Sequence, residues 1–227
     1  MRAWQVVRRA PWVLVGALIT VALGWGLWFT IAWGRYGQTR PRAADPVLDR
    51  FMPTFEVAER HEIGVRAPAA VTYAAARDVD LERSAIVRAV FRGRSEMLEG
   101  TAAERHLTLG ELQAMGWGML AEVPGRELVF GAVTQPWRGD VRFESLAPDS
   151  FAAFHRPGYV KIIWTLAVDS AESRTSRFRT ETRVMTTDEA ARTRFRRYWA
   201  LFSPGILLIR WQAIRLVRAD AERRFQP

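Results

Sequence analysis

Hydrophobic and polar positions along this chain follow three different periods, one after another. The first stretch has no polar period. Trp12 to Trp33 is a run of 22 residues without charge or proline. Built as a helix it would be about 33 Å long, enough to cross a hydrocarbon core of about 30 Å. Trp12, Trp28 and Trp33 sit near its ends, where indole rings favour the lipid–water boundary. The run predicts a transmembrane helix over 12–33, after an N-terminal tail at 1–11. Ala32-Trp33-Gly34 also fits a small-x-small cleavage site, although the apolar run exceeds the usual signal core of about 7–15 residues. Residues 34–53, with two glycines, three prolines and mixed charge, read as a linker.

A period of two follows. In Phe55–Arg66, Phe55, Val57, Glu59, His61, Ile63 and Val65 share one face, and Arg60, Glu62 and Arg66 the other, as in a half-buried strand. Short helices are expected next. One begins at Pro68 and turns Val71, Ala74 and Ala75 inward. A second is capped by Asp80, with Ile86, Val87, Val90 and Phe91 on one stripe. A third opens at Thr108 and Glu111, a capping-box pair. Strand alternation then resumes. Trp117, Met119, Ala121 and Val123 fall on one face, and Pro124-Gly125 marks a turn. Leu128, Phe130 and Ala132 continue the sheet, and Val141 and Phe143 indicate a further strand. Pro148–Gly158 reads as an interruption holding one helical turn capped by Asp149 or Ser150. The clearest strand is Tyr159–Asp169, with Val160, Ile162, Trp164, Leu166 and Val168 alternate. Beyond a polar loop at Ser170–Ser176, Phe178, Thr180, Thr182 and Val184 face one way and Arg177, Arg179, Glu181 and Arg183 the other, an antiparallel hairpin.

The last period is helical. Thr186 with Glu189 forms a second capping-box pattern, and Ala191, Phe195, Tyr198, Trp199 and Phe202 make an apolar stripe. Ser203-Pro204-Gly205 is expected to kink or break the helix. It resumes with Ile206, Ile209, Ala213, Leu216 and Val217, while Arg210, Arg215, Arg218, Arg223 and Arg224 take the remaining faces. Arg210 interrupts the apolar part too soon for a second membrane span. Strand, short helices, antiparallel strands and one long helix together predict an α+β domain over 54–227. The long helix is the natural cover for a curved sheet, and a pocket is expected where large side chains leave the space between them unfilled.

These segments resemble the SRPBCC superfamily of helix-grip proteins, which includes START lipid-transfer domains, birch-pollen-allergen-like proteins and polyketide cyclases. The resemblance spans about residues 54–224. It is carried by His61-Glu62-Ile63 through Pro68, the Glu122–Leu128 hairpin, and the Glu181–Val184 strand that feeds the helix from Thr187. It implies a curved antiparallel sheet wrapped on a long C-terminal helix, a cavity, and an apolar ligand. It implies no catalytic residue, because the superfamily shares none.

Composition narrows the chemistry. There is no cysteine among the 227 residues, which excludes disulfides and thiolate metal sites. His61, His106 and His155 stand far apart, without metal-ligand spacing, and no phosphate loop or nucleophile elbow is present. No metal and no cofactor is therefore expected. Gly116-Trp117-Gly118 lacks phosphate-loop context and points to close backbone packing. The net charge of +9 is almost all arginine, with Lys161 the one lysine. Beside an apolar span this favours anionic lipid over nucleic acid. Arg192-Thr193-Arg194-Phe195-Arg196-Arg197 reads either as a headgroup contact or as the solvated face of the long helix. Arg2, Arg8 and Arg9 before the span nearly balance Arg35, Arg40, Arg42 and Arg50 after it; the domain is expected on the cytoplasmic side.

The candidate ligand-binding set is His61, Trp117, Phe130, Trp164, Phe178, Thr180, Thr182, Tyr198 and Trp199. The aromatic members would wall a pocket. Thr180 and Thr182 would offer hydroxyls on an otherwise apolar face, where an unpartnered buried hydroxyl costs about 1–3 kcal/mol. His61 and Glu59 share that face and are candidate bases. Three functions fit. One is membrane-anchored binding of a hydrophobic small molecule or lipid. The second is a cyclase- or isomerase-type enzyme in the same cavity. The third is an interaction module with a filled core.

Overall fold

The computed structural model describes residues 3–38, 45–97 and 108–226. Arg2, Arg40, Arg42, His106 and the side chains of Arg8, Arg9, Trp12 and Phe91 lie outside the described set. The elements run α1 (Ala3–Arg35), α2 (Pro46–Phe51), β1 (Val57–Val65), α3 (Ala69–Arg77), a 3-10 turn (Leu81–Arg83), α4 (Ala85–Met97), α5 (Leu109–Ala114), β2 (Gly118–Val123), β3 (Glu127–Thr134), β4 (Phe143–Glu144), α6 (Pro148–Ala153), β5 (Val160–Glu172), β6 (Thr175–Thr186) and α7 (Glu189–Phe225). All strand pairs are antiparallel, in the order β1-β6-β5-β3-β2, with β4 on β3. The long α7 packs against β1, β6 and α3. This is the α+β helix-grip architecture expected from the residue pattern.

Several local expectations give way to tertiary demands. Alternation in β2 fails after Met119. The register slips between Met119 and Ala121, so that Met119 opposes Phe130 while Ala121 opposes Val129. This bulge turns Leu120, rather than its predicted neighbours, into a buried residue. Ala74 is exposed, and α3 buries Thr72, Tyr73, Ala75 and Ala76 instead. The amide of Val87 is capped by Ser84 Oγ at 3.4 Å, so α4 starts after Ser84 and not at Asp80, and Ile86 faces solvent. No side chain caps α6. Most of the predicted Ser170–Ser176 loop is strand, because β5 runs to Glu172 and β6 starts at Thr175. Thr186 ends β6, and the helix cap is Asp188, whose carboxylate accepts from the Ala191 amide at 2.6 Å. Thr108 and Glu111 do form their capping box.

Pro204 neither breaks nor ends α7, which is helical throughout Glu189–Phe225. The glycine beside it is used for close packing: a Cβ on Gly205 would stand 2.8 Å from Val90 Cγ1 of α4. By length and composition alone, α7 is long and apolar enough to cross a membrane, contrary to the expectation that Arg210 interrupts it too soon. Its buried residues Ile214, Val217 and Ala221 nevertheless share one core cluster with Val65, Leu128, Phe130, Leu166 and Phe178 of the sheet.

The largest departure concerns the other face of the sheet. Arg179, Glu181 and Arg183 alternate away from α7 as predicted, yet all three are buried. Part of the segment read as a linker forms α2, which packs with α6 on this outer face around Leu48, Phe51, Met52, Leu120, Val129, Val133, Phe151 and Ile163. The guanidinium of Arg183 bonds Glu181 at 2.9 Å, Asp49 of α2 at 2.6 Å and the Met52 carbonyl at 3.0 Å. Arg179 bonds Asp45 at 2.5 Å. Burial works against the Asp45 carboxylate, but the Arg179 bond and the Leu48 amide hold it below its ordinary range. Beside it, burial and then the charge of Asp45 push Glu127 up to about 7.

Two outcomes follow from this buried network. Replacing Arg183 alone by Met leaves the buried Glu181 with only the longer Arg60 contact at 3.6 Å and should cost about 3 kcal/mol in denaturant unfolding, whereas Arg183→Met with Glu181→Leu should recover part of that loss. Glu127 binds its proton more tightly folded than unfolded, so between its ordinary 4.5 and about 7 the folded state holds the extra proton. Stability should therefore fall as pH rises through that window, by roughly 2–4 kcal/mol in total. Glu127→Gln should flatten that part of the pH profile, as measured by urea unfolding.

Candidate functional site

The strand register places most of the predicted residues on one face of the sheet, under α7. Glu59 of β1 opposes Thr182 of β6, Thr182 opposes Trp164 of β5, Trp164 opposes Phe130 of β3, and Phe130 opposes Met119 of β2. The next positions along β1 and β6 pair His61 with Thr180 and Ile63 with Phe178. These side chains share the inner face because strand residues two apart point the same way.

Aromatic rings occupy one half of this face. Phe130 stacks on Trp164 with centroids 5.1 Å apart, and Trp117 meets Trp164 edge-on at 6.2 Å. Trp117 is positioned by the turn before it. Gly116 has φ +99°, and a Cβ there would lie 2.0 Å from the Phe143 carbonyl oxygen. Close backbone packing is thus the role of this glycine, as its sequence context indicated. Phe178 is fully buried in the same cluster. Tyr198 and Trp199 are elsewhere. They pack with Val57, Val160, Val184 and Phe195 near the beginning of α7, a separate cluster.

Between the two clusters lies a polar band formed by Glu59, His61, Thr180, Thr182 and a residue that the sequence reading assigned to an outer face, Arg210 of α7. The Arg210 Nε is sealed from solvent without a hydrogen-bond partner, as is Thr182 Oγ1. Burial pulls the Arg210 guanidinium down to about 10, against the opposing pull of the Glu59 charge. The signal for Arg210 was present in the chain. Ser203, Arg210, Ile214, Val217 and Ala221 recur at intervals of three, four or seven, the spacing of one helix stripe, and the other four are buried. An arginine on that stripe must point toward the sheet.

The inner face is also less closed than the outer one. On the central strand β5, Ile163 and Thr165 of the outer face are fully buried. Their inner-face neighbours Ile162 and Trp164 keep partial exposure, as do Glu59, His61 and Ile63 on β1. Trp164, on the central strand, is thus less covered than its outer-face neighbours. Two open clefts lie away from this face. One of about 670 Å³ is lined by Gly116, Gln135, Arg142, Phe143 and Tyr159, and one of about 230 Å³ by Asp45, Arg60, Glu127 and Arg179. Among the described residues, no group of three His, Asp or Glu side chains is placed to hold a metal.

Chemically, the band supplies hydroxyls, an imidazole, a carboxylate and a guanidinium within an apolar surround. Such a set can fix the polar end of a largely apolar molecule. No protein-family model matches the chain, and no curated protein matches it. Solved structures similar in outline include a hypothetical protein from Helicobacter pylori (10% identity, 81% of this chain and 98% of that one, TM-score 0.39). The Zhui aromatase/cyclase from Streptomyces sp. R1128 is similar at 12% identity over 75% of this chain and 96% of its own, TM-score 0.31. The human StarD13 lipid transfer and protein localization domain is similar at 13% identity over 75% and 77%, TM-score 0.24. At these scores the likeness assigns no function to this chain, whose helix-grip architecture is plain from its own strand order and α7.

Proposed function

We propose that this protein is held at the cell membrane by α1 as a single-pass anchor and binds a hydrophobic small molecule or lipid between the sheet and α7. The observation that carries this is the polar band. A sealed Thr182 hydroxyl and a sealed Arg210 Nε, both without partners, lie on a face where Glu59, His61 and Trp164 keep partial exposure. Unsatisfied buried polar groups cost about 1–3 kcal/mol each. Others lie on the outer face, at Glu127, Thr165, Arg179 and Glu181, but only those of the inner face stand beside the aromatic cluster of Trp117, Phe130 and Trp164. A ligand head group that bonds them turns that cost into affinity.

The apolar remainder of the ligand would lie against Trp164, Phe130, Trp117 and Phe178. Burying apolar surface from water yields roughly 25 cal/mol per Å². Transfer from a bilayer yields far less, since the ligand is already out of water, so selectivity would come from shape and from the band. Anchoring places the binding space beside its lipid reservoir and raises the local concentration.

A test uses the opposite signs expected for stability and binding. Thr182→Val keeps the shape and removes the orphan hydroxyl, so the unliganded protein should gain about 1 kcal/mol in thermal unfolding. The same variant, and Arg210→Met, should lose most of the bound molecule. Native mass spectrometry of the full chain, released from membranes in detergent, reads this directly. The expected result is a reproducible adduct on the unmodified chain that is depleted in both variants. A bare chain mass after incubation with a total lipid extract would defeat the proposal.

A further inference from the structure

The anchor is not tethered loosely to the domain. The end of α1 lies along the first half of α7 in an antiparallel register. Gly37 is adjacent to Arg192, Tyr36 packs on Phe195 at 6.1 Å, the Arg196 guanidinium bonds the Trp33 carbonyl at 2.8 Å, and Trp28 Nε1 donates to Ser203 Oγ at 3.0 Å. Arg196 also lies 4.2 Å from the centre of the Trp33 ring. Tyr36 in turn donates to Glu56 at 2.5 Å, just before β1. The contact ends at Trp28. All nine residues from Ile19 to Leu27 are exposed, and nine residues cover every side of a helix. The two helices therefore part at Trp28 and Ser203, immediately before Pro204.

This geometry constrains where the bilayer lies. The uncharged run has 22 residues, but its last six, 28–33, run along α7. The free part, 12–27, would rise only about 24 Å, against a hydrocarbon core of about 30 Å. Roughly four more residues are needed to complete the span, and these are flanked by α7 near Trp199–Ser203. The register is antiparallel, so α7 beyond Ser203 initially heads toward the bilayer side of α1. A domain fastened in this way cannot stand clear of the membrane.

The surface it would present is suited to that position. Outside α1, the described large apolar residues that are exposed are Ile86, Met119, Leu208 and Trp211. Leu208 (38% exposed) and Trp211 (43% exposed) lie on α7 just past Pro204. Ile86 is one helical turn before Val90, the α4 residue that packs on Gly205. The Arg215 guanidinium covers the Trp211 ring at 3.3 Å, a cation held over an indole. Trp beside Arg suits the headgroup layer, where the ring meets the glycerol region and the cation meets phosphate.

We infer that α7 from Gly205 to Arg215 rests in the headgroup layer of the bilayer that α1 crosses, with Leu208 and Trp211 inserted. This rests on the reading of α1 as a span. It adds that the domain has one fixed, membrane-apposed side.

The chain lacks cysteine, so single cysteines introduced for labelling report one site each. Full-length protein carrying Leu208→Cys, Trp211→Cys, Ile19→Cys or Asp149→Cys would be labelled with an environment-sensitive nitrobenzoxadiazole dye. It would then be reconstituted in phosphatidylcholine–phosphatidylglycerol vesicles containing nitroxide lipids. Asp149, on α6, is separated from α7 by the whole sheet. Positions 208 and 211 should lose at least about half of their emission to nitroxides placed near the headgroup, and position 149 should lose none. Water-like emission at both 208 and 211, with deep quenching at 19, would overturn membrane docking of α7 and leave the anchor standing. Absence of quenching at 19 as well would remove the anchor itself. A blue shift at 208 and 211 that lipid nitroxides do not quench, and that disappears on dilution, would mean that a second copy covers the patch, and would equally overturn the inference.

Discussion

The structure depends on α7 having two partners at once. One flank of this helix lies on the sheet through Ile214, Val217 and Ala221, and its first half holds the end of α1 through Phe195, Arg196 and Ser203. A curved antiparallel sheet cannot bury its inner face alone, so α7 has to be where it is. Once it is there, the apolar N-terminal segment inherits a rigid attachment. The polar groups at that junction are arranged accordingly: burial and the bond to Glu56 raise the Tyr36 phenol well above its ordinary range, so it stays protonated and keeps donating.

The two faces of the sheet carry different kinds of polar group. The outer face is covered by α2 and α6 and contains the ion pairs Arg183–Glu181 and Arg179–Asp45, although Arg179 Nε, Glu181 Oε2, Glu127 Oε1 and Thr165 Oγ1 there lack hydrogen-bond partners. Such pairs add little net stability over apolar packing, but each becomes expensive once its partner is lost. They fasten α2 at a defined place on the sheet. The inner face sets its few polar groups, Glu59, His61, Thr180, Thr182 and Arg210, among aromatic and aliphatic side chains, and Glu59, His61 and Trp164 there keep partial exposure. The outer face thus joins α2 to the sheet through paired charges, while the inner face carries its polar groups within an apolar surround.

What could be read from the residues depended on whether the deciding interaction was local. Period-two patterns located β1, β5 and β6 and the inward set Thr180, Thr182, Trp164 and Phe130 correctly, because side-chain parity is a property of the strand itself. Parity failed in β2, where the bulge at Leu120 answers to β3 and α6 and leaves no mark in the strand's own sequence. Cap choice failed similarly. Thr186 and Asp80 were plausible caps, but β6 pairing occupies the first, and the 3-10 turn puts Ser84 in the capping place of the second. Tyr198 and Trp199 belong to the α1 end of α7 rather than to the aromatic cluster, since a helix stripe does not say which part of a sheet it will meet.

By itself the sequence determined the α+β order, the register-independent faces of the long strands, the presence of a final amphipathic helix and the uncharged N-terminal run, all set by periodicity and by chemistry within a few residues. The tertiary structure alone decided that the arginines of β6 are buried, that Arg210 joins the inner polar band, that Pro204 stays within a continuous helix and that α1 runs antiparallel to α7. Each of these depends on which distant surface comes to cover a given residue. Burial by a partner far along the chain outweighs local preference, and no local pattern encodes which partner that will be.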